Sequence, residues 1–125
     1  MKKIPQSLRT WFVIHFIVDI IFAIPLLIAP VWLLQLLGFT VVEPIMTRLV
    51  GAALVGIGGA SLLTRNKGRE SYHSLLTLKI LWSLTVILIL VIALFQNGPW
   101  SIAPILALFI LFSAVWIYYK TKLKY

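Results

Sequence analysis

Four long apolar runs, separated by short polar pieces, dominate the pattern of this 125-residue chain. They cover about residues 10–29, 44–63, 72–95 and 101–119. Each run is close to the roughly 20 residues that a helix needs to cross a hydrocarbon core about 30 Å thick. The pieces between them, such as RNKGRE (65–70) and QNGPW (96–100), carry charge, glycine or proline and are expected to be loops. The pattern predicts an all-α, polytopic membrane protein, with four transmembrane helices in one bundle that forms a single domain over 1–125.

A fifth, shorter element is expected between the first two spans. The stretch PVWLLQLLG (30–38) begins with proline, which suits the first turn of a helix, and ends with glycine, which suits a helix end. We predict one or two turns of helix lying along the membrane interface. Pro25 in the first span and Pro104 in the fourth are expected to kink their helices, because each frees a carbonyl one turn earlier.

Positive charge is distributed unevenly between the two sides of these spans. The side that includes both termini holds nine of the eleven Lys and Arg residues: Lys2, Lys3, Arg9, Arg65, Lys67, Arg69, Lys120, Lys122 and Lys124. The two loops on the other side, 30–43 and 96–100, contain neither residue type. The positive-inside rule therefore predicts an integral membrane protein of the cell membrane with both termini cytoplasmic. The first apolar run is too long for a signal peptide and lacks a small-residue cleavage site, so we expect it to be retained.

Composition narrows the classes of function. Hydrophobic residues make up 62% of the chain and charged residues 11%, against about 25% charged in soluble domains. In a membrane protein the net charge of +8 reflects the orientation of the spans. The expected partner is therefore the lipid bilayer rather than nucleic acid. The chain has no cysteine, which excludes disulfides, thiolate metal sites and thiol redox chemistry of its own.

Aromatic residues lie close to the expected ends of the spans. Their amphipathic rings favour the headgroup level of a bilayer, so we interpret them as interface anchors rather than as ligand-stacking residues. These residues are Trp11, Trp32, Trp100, Trp116, Tyr118 and Tyr119.

Ionisable residues inside the spans are the candidates for a polar site. His15 and Asp19 share one face of the first span because they are four residues apart, and Lys79 lies inside the third. An unpaired charge at mid-bilayer costs at least about 2.5 kcal/mol, so such residues face other helices and find partners. At about 1.5 Å per residue, Asp19 and Lys79 lie roughly 13 and 10 Å from the same membrane face. We therefore predict that Asp19 meets Lys79, with His15 on the cytoplasmic side and Ser83 on the same wall.

The second span combines a charge with a stripe of small residues. Arg48 is expected to close the polar cluster from the outer side, to extend outward, or to pair with Glu43. Below it, small residues allow another helix to approach closely, either from the same chain or from a second copy. The residues assigned to this packing role are Gly51, Ala52, Gly56, Gly59 and Ala60.

These features leave several functions open. The first is a buried polar site that binds or translocates a small solute, a proton or a lipid headgroup. The second is an accessory or assembly subunit that docks through the small-residue face, in a homo-oligomer or a larger membrane complex. The buried charges would serve architecture alone if they only specify which helices pack together.

Enzymatic activity has little support in the sequence. There is no Ser-His-Asp arrangement, no pair of catalytic carboxylates and no metal-ligand cluster. His15 and His73 lack a haem attachment motif, and GIGG (56–59) lies inside a helix rather than in a phosphate-binding loop. No metal and no cofactor is therefore expected. A lipid- or quinone-modifying enzyme would need a reactive group that the chain does not show.

The segments PVWLLQLLGF, RLVGAALVGIGGASLL and LKILWS resemble, in layout, the small four-helix membrane proteins of the DoxX-like type. The resemblance covers nearly the whole chain: a proline-broken first loop, an Arg that opens a glycine-rich second span, and cytoplasmic termini. It implies a third function, a redox-associated membrane component, because some DoxX-like proteins are associated with membrane-linked quinone or thiol redox complexes. This chain has no cysteine, so it lacks the residue that thiol redox chemistry requires. No functional residue of the DoxX-like family is assigned to a position in this chain.

Overall fold

The computed structural model describes residues 4–123, and in that range its regular secondary structure is helix alone, with no strand. Its five helices are α1 (Gln6–Ile28), α2 (Pro30–Leu36), α3 (Pro44–Thr64), α4 (Arg69–Phe95) and α5 (Ile102–Lys122). All except α2 are long and apolar enough to cross a membrane. The predicted all-α fold with four membrane-length helices and one short helix is confirmed. Three basic residues used for the topology prediction, Lys2, Lys3 and Lys124, lie outside the described residues.

The starts of α3 and α5 show the effects of capping and of proline. Glu43 precedes α3, and its Oε2 accepts a hydrogen bond from the backbone N–H of Met46 at 2.6 Å. That bond satisfies one of the N–H groups that a helix start leaves without an intrahelical partner. Pro104 lies in the first turn of α5, where a backbone N–H has no intrahelical acceptor. The cause of the kink expected at Pro104 is therefore absent.

The short helix α2 forms where the sequence predicts it. α1 ends at Ile28, and the N–H of Ala29 donates to the carbonyl of Pro25 at 2.8 Å. Pro30 then starts α2 at a position where no N–H is needed. After the helix, Gly38 adopts a φ of 96°, a conformation that side-chain-bearing residues rarely adopt. Pro30 and Gly38 therefore delimit two turns of helix.

The chain divides into two compact units, and the first contains Pro5–Lys67. In it α1 and α3 pack antiparallel, because Arg9 donates to the carbonyl of Arg65 at one end and Arg48 donates to the carbonyl of Leu27 at the other. The buried residues of both helices follow steps of three or four, which keeps them on one face. They are Leu8, Phe12, His15, Asp19, Ala23 and Leu26 in α1, and Thr47, Gly51, Leu54, Gly58 and Ser61 in α3.

The second unit includes residues 68–123 and contains α4 and α5. These helices also pack antiparallel, since Arg69 donates to the carbonyl of Leu123, while the rings of Trp82 and Phe109 meet further along with centroids 6.4 Å apart. Their buried residues are Tyr72, Leu76, Lys79 and Ser83 in α4, and Ile102, Phe112, Ser113, Trp116 and Tyr119 in α5. The buried residues of α4 therefore all lie between Tyr72 and Ser83.

Candidate functional site

His15 and Asp19 form a buried pair on α1. The distance from His15 Nε2 to Asp19 Oδ1 is 3.3 Å, and each residue is only 5% exposed. One helical turn separates them, so both side chains lie on the face that α1 turns toward α3. An imidazole has two nitrogens that can donate or accept, and a carboxylate has two acceptor oxygens. The pair therefore places proton-carrying groups on the buried face of a helix that is long enough to cross a membrane.

Gly58 of α3 lies directly against Asp19. A Cβ atom added at Gly58 would be 2.9 Å from the Cβ of Asp19 and 3.1 Å from its Oδ2. Real Cβ atoms do not approach this closely, so only glycine allows α3 to pass Asp19 at this distance. Gly58 is not among the residues predicted from the sequence to pack against another helix. The signal available was its spacing of seven from Gly51, which is two helical turns.

Ser61 extends the polar seam by one turn. It is fully buried, and its hydroxyl donates to the carbonyl of Ile57 at 2.9 Å. Because Asp19 lies against Gly58 and the two helices run in opposite directions, Ser61 lies at the level of His15. The antiparallel register thus brings a carboxylate, an imidazole and a hydroxyl into one buried seam between α1 and α3.

Arg48 does not belong to this seam. It is exposed, and its Nε donates to the carbonyl of Leu27 at 3.0 Å. Leu27 is eight residues beyond Asp19, which corresponds to about 12 Å along α1. Arg48 was expected to close the polar cluster from the outer side, and it does not do so. The expected pairing with Glu43 is replaced by the contact with the last turn of α1.

The small-residue stripe of α3 is divided between two faces. Gly51 is buried, and an added Cβ there would lie 3.0 Å from Cγ of Leu27. Ala52 and Gly56 are exposed, Gly59 and Ala60 are half-buried, and a Cβ at Gly56 or Gly59 would have open space around it. The physical reason is that an α-helix has 3.6 residues per turn, so a strict spacing of four drifts away from the α1-facing side.

Lys79 is part of a second buried cluster, between α4 and α5. It is fully buried, and its Nζ lies 4.7 Å from the centroid of the Trp116 ring, a cation–π contact. Trp116 stacks in turn on Phe112, with centroids 5.6 Å apart. Ser83 is buried one turn further along α4, and its hydroxyl donates to the carbonyl of Ile80 at 3.2 Å.

Ser113 is a buried residue of α5 that is not among the site residues predicted from the sequence. It is 3% exposed, and its hydroxyl makes no hydrogen bond to any residue in the described range. Other hydroxyls of the same unit, those of Thr77, Ser83 and Thr85, each donate to a carbonyl three or four residues earlier. A buried serine that does not use its own helix as acceptor is a feature that only coordinates can reveal.

Two of the aromatic residues assigned to the membrane interface lie inside the protein instead. Trp116 is 0% exposed and Tyr119 is buried, whereas Trp32, Trp100 and Tyr118 are exposed as an interface anchor would be. Position near a span end does not determine which way a ring faces around the helix. For Trp116 the ring faces α4 and covers Lys79.

No group of three or more His, Asp or Glu residues that could hold a metal ion occurs within residues 4–123. Comparisons with protein-family models, with curated proteins and with solved structures found no match. The resemblance to DoxX-like proteins therefore stays a prediction. The pairing of Asp19 with Lys79 also stays a prediction.

Proposed function

We propose that this chain is a small integral membrane protein that binds or translocates a proton or a small solute at a buried polar site. The observation that carries the proposal is the His15–Asp19 pair, which is almost completely buried within a membrane-length helix. Ionisable residues at such positions are costly, and their usual roles are proton relays and solute pathways. Four apolar helices and the distribution of Lys and Arg support a membrane location with both termini in the cytoplasm.

The chemistry of the seam favours a proton over a larger solute. His15 and Asp19 together supply both a base and an acid within 3.3 Å, and Gly58 leaves no room for a side chain beside them. A proton needs no cavity, since it passes along groups that are already in hydrogen-bonding range. The seam also contains the hydroxyl of Ser61, which can donate and accept.

Replacement of Asp19 by asparagine tests this function. The amide has the shape of the carboxylate but cannot take up a proton, so proton flux is expected to fall to the level of protein-free vesicles. The measurement is acidification of liposomes that contain purified protein and a pH-sensitive dye, driven by a potassium diffusion potential.

Glu70→Gln is the matched control, because it removes an exposed carboxylate in the first turn of α4. This variant should keep the wild-type flux. Wild-type protein that conducts no more than empty liposomes would contradict proton translocation. An Asp19→Asn variant that keeps its flux would contradict a role for this pair.

A second candidate function is that of an accessory subunit that docks through α3. The observation in its favour is the exposure of Ala52 and Gly56, with open space at Gly56. Small exposed residues on a membrane helix let a neighbouring helix approach closely. Under this proposal, Gly56→Leu combined with Ala60→Leu should dissociate a homo-oligomer or abolish co-purification of a larger complex.

The oligomeric state in lipid nanodiscs, measured by mass photometry, checks this second candidate. Ile45→Leu is a suitable control because it alters another exposed position of α3 without filling the small-residue stripe. An unchanged oligomeric state in the double variant would count against docking through this face.

A further inference from the structure

Arg48 carries an exposed guanidinium that a single backbone contact holds in place. Its Nε donates to the carbonyl of Leu27, which belongs to the last turn of α1. Carbonyls of a last turn lack intrahelical donors, and the helix dipole favours a cation there. Since α1 has no basic residue in its own last turn, Arg48 of α3 supplies both the donor and the charge.

The terminal nitrogens of Arg48 have hydrogen-bonding capacity left. Within the described residues, the guanidinium makes only the Leu27 hydrogen bond and no ion pair. Glu43, the acidic residue nearest in sequence, accepts a hydrogen bond from the backbone of Met46. With Nε held, Nη1 and Nη2 form a planar, two-pronged donor edge that matches two oxygens of a phosphate group.

The surface around Arg48 is apolar. Ile45 and Leu49 flank it on α3, and Ile28 follows Leu27 on α1; these side chains are 65%, 57% and 74% exposed. A phosphate free in water would gain nothing from such neighbours, whereas the acyl chains of a lipid would contact them. Arg48 is also the sole Lys or Arg between residues 10 and 64. Anion binding on this part of the unit therefore depends on one side chain.

We propose that Arg48 binds the phosphate of a phospholipid headgroup, while Ile28, Ile45 and Leu49 contact the acyl chains. The Leu27 carbonyl orients the guanidinium, so the lipid meets a group whose direction is already set, which lowers the entropic cost of binding. This site lies about two helical turns from Asp19 along α1, at about 5.4 Å per turn. It is independent of the proposed proton or solute function.

The test is lipid binding to delipidated protein in detergent micelles, followed by native mass spectrometry. The probe is dilauroyl phosphatidic acid, compared with dilauroylglycerol, which has the same acyl chains and no phosphate. Wild-type protein should retain the phosphate-bearing lipid and release the other. In Arg48→Gln the affinity for phosphatidic acid should fall by about 10- to 100-fold, the effect of losing hydrogen bonds to a charged group.

Three controls keep the test decisive. Lys67→Gln removes an exposed positive charge at the Arg65 end of α3 and should leave the affinity unchanged. Arg48→Lys keeps the charge but not the two-pronged edge, and should bind phosphatidic acid several-fold more weakly than the wild type. It replaces Arg48→Gln as the test variant if that protein does not fold. Glycerol 3-phosphate in excess should not displace the lipid.

Three results would overturn the proposal. The first is wild-type affinity in Arg48→Gln or, where that variant does not fold, in Arg48→Lys. The second is an equal loss in Lys67→Gln, which would indicate general charge attraction. The third is retention of dilauroylglycerol, or displacement by glycerol 3-phosphate, which would assign binding to the acyl chains alone or to a soluble phosphate.

Discussion

Replacement of Gly58 by leucine is expected to destabilise the α1–α3 pair strongly. A Cβ at this position would lie 2.9 Å from the Cβ of Asp19, an atom attached directly to the α1 backbone. That atom cannot move aside unless α1 itself shifts, and a shift would open the seam that buries His15 and Asp19. Overpacking a close contact costs about 1–3 kcal/mol, and we expect the upper end of that range or more.

The measurement is the free energy of unfolding in mixed micelles, titrated with a denaturing detergent and followed by circular dichroism. Gly56→Leu is the matched control, because it makes the same chemical change two residues away, where an added Cβ meets no atom within 4 Å. It should alter stability by no more than about 0.5 kcal/mol. Equal losses at the two glycines would show that the contact with Asp19 is not the cause.

The second large effect is expected from Trp116→Ala in the α4–α5 unit. Trp116 is fully buried, stacks on Phe112 and covers the ammonium group of Lys79 at 4.7 Å from its ring centroid. Its removal would leave a cavity beside a buried charge that has lost its aromatic contact. Because lipid tails are as apolar as the protein interior, the loss comes from packing rather than from transfer to water. We expect a loss of about 3 kcal/mol, the lower end of the range for large aromatic residues.

The same unfolding titration measures this effect, with Trp100→Ala as control. Trp100 directly precedes Ser101, the N-cap of α5, and is 67% exposed, so its removal should cost no more than about 0.5 kcal/mol. Trp116→Phe should recover part of the stability, since a phenyl ring retains stacking and a weaker cation–π contact. Similar losses at the two tryptophans would contradict the role assigned to Trp116.

The two buried clusters were visible in the sequence to different degrees. His15, Asp19 and Lys79 stand out because ionisable residues are rare in apolar runs, and the spacing of four predicts that the first two share a face. Gly58 and Ser113 do not stand out, since glycine and serine are common in membrane helices. The importance of Gly58 comes from Asp19, which lies opposite on α1, and this is a property of two helices rather than of one.

Arg48 is a residue that the sequence singled out but whose partner it did not identify. Its charge and position predicted that it would face a polar partner, and its actual partner is the backbone carbonyl of Leu27. Every residue has a carbonyl, so sequence patterns cannot single out one of them as an acceptor. Only the end of α1, set by Ala29 and Pro30, leaves that carbonyl available.

The sequence by itself determined the all-α fold, the number and approximate extent of its membrane-length helices, and the short helix between the first two. These follow from hydrophobic run length, proline and glycine, which act within one segment at a time. Tertiary structure decided which face of each helix is buried, because the 3.6-residue period leaves rotation about the axis open until a second helix packs against it. That rotation placed Gly58 against Asp19, turned Trp116 inward over Lys79, and left Arg48 exposed at the end of α1.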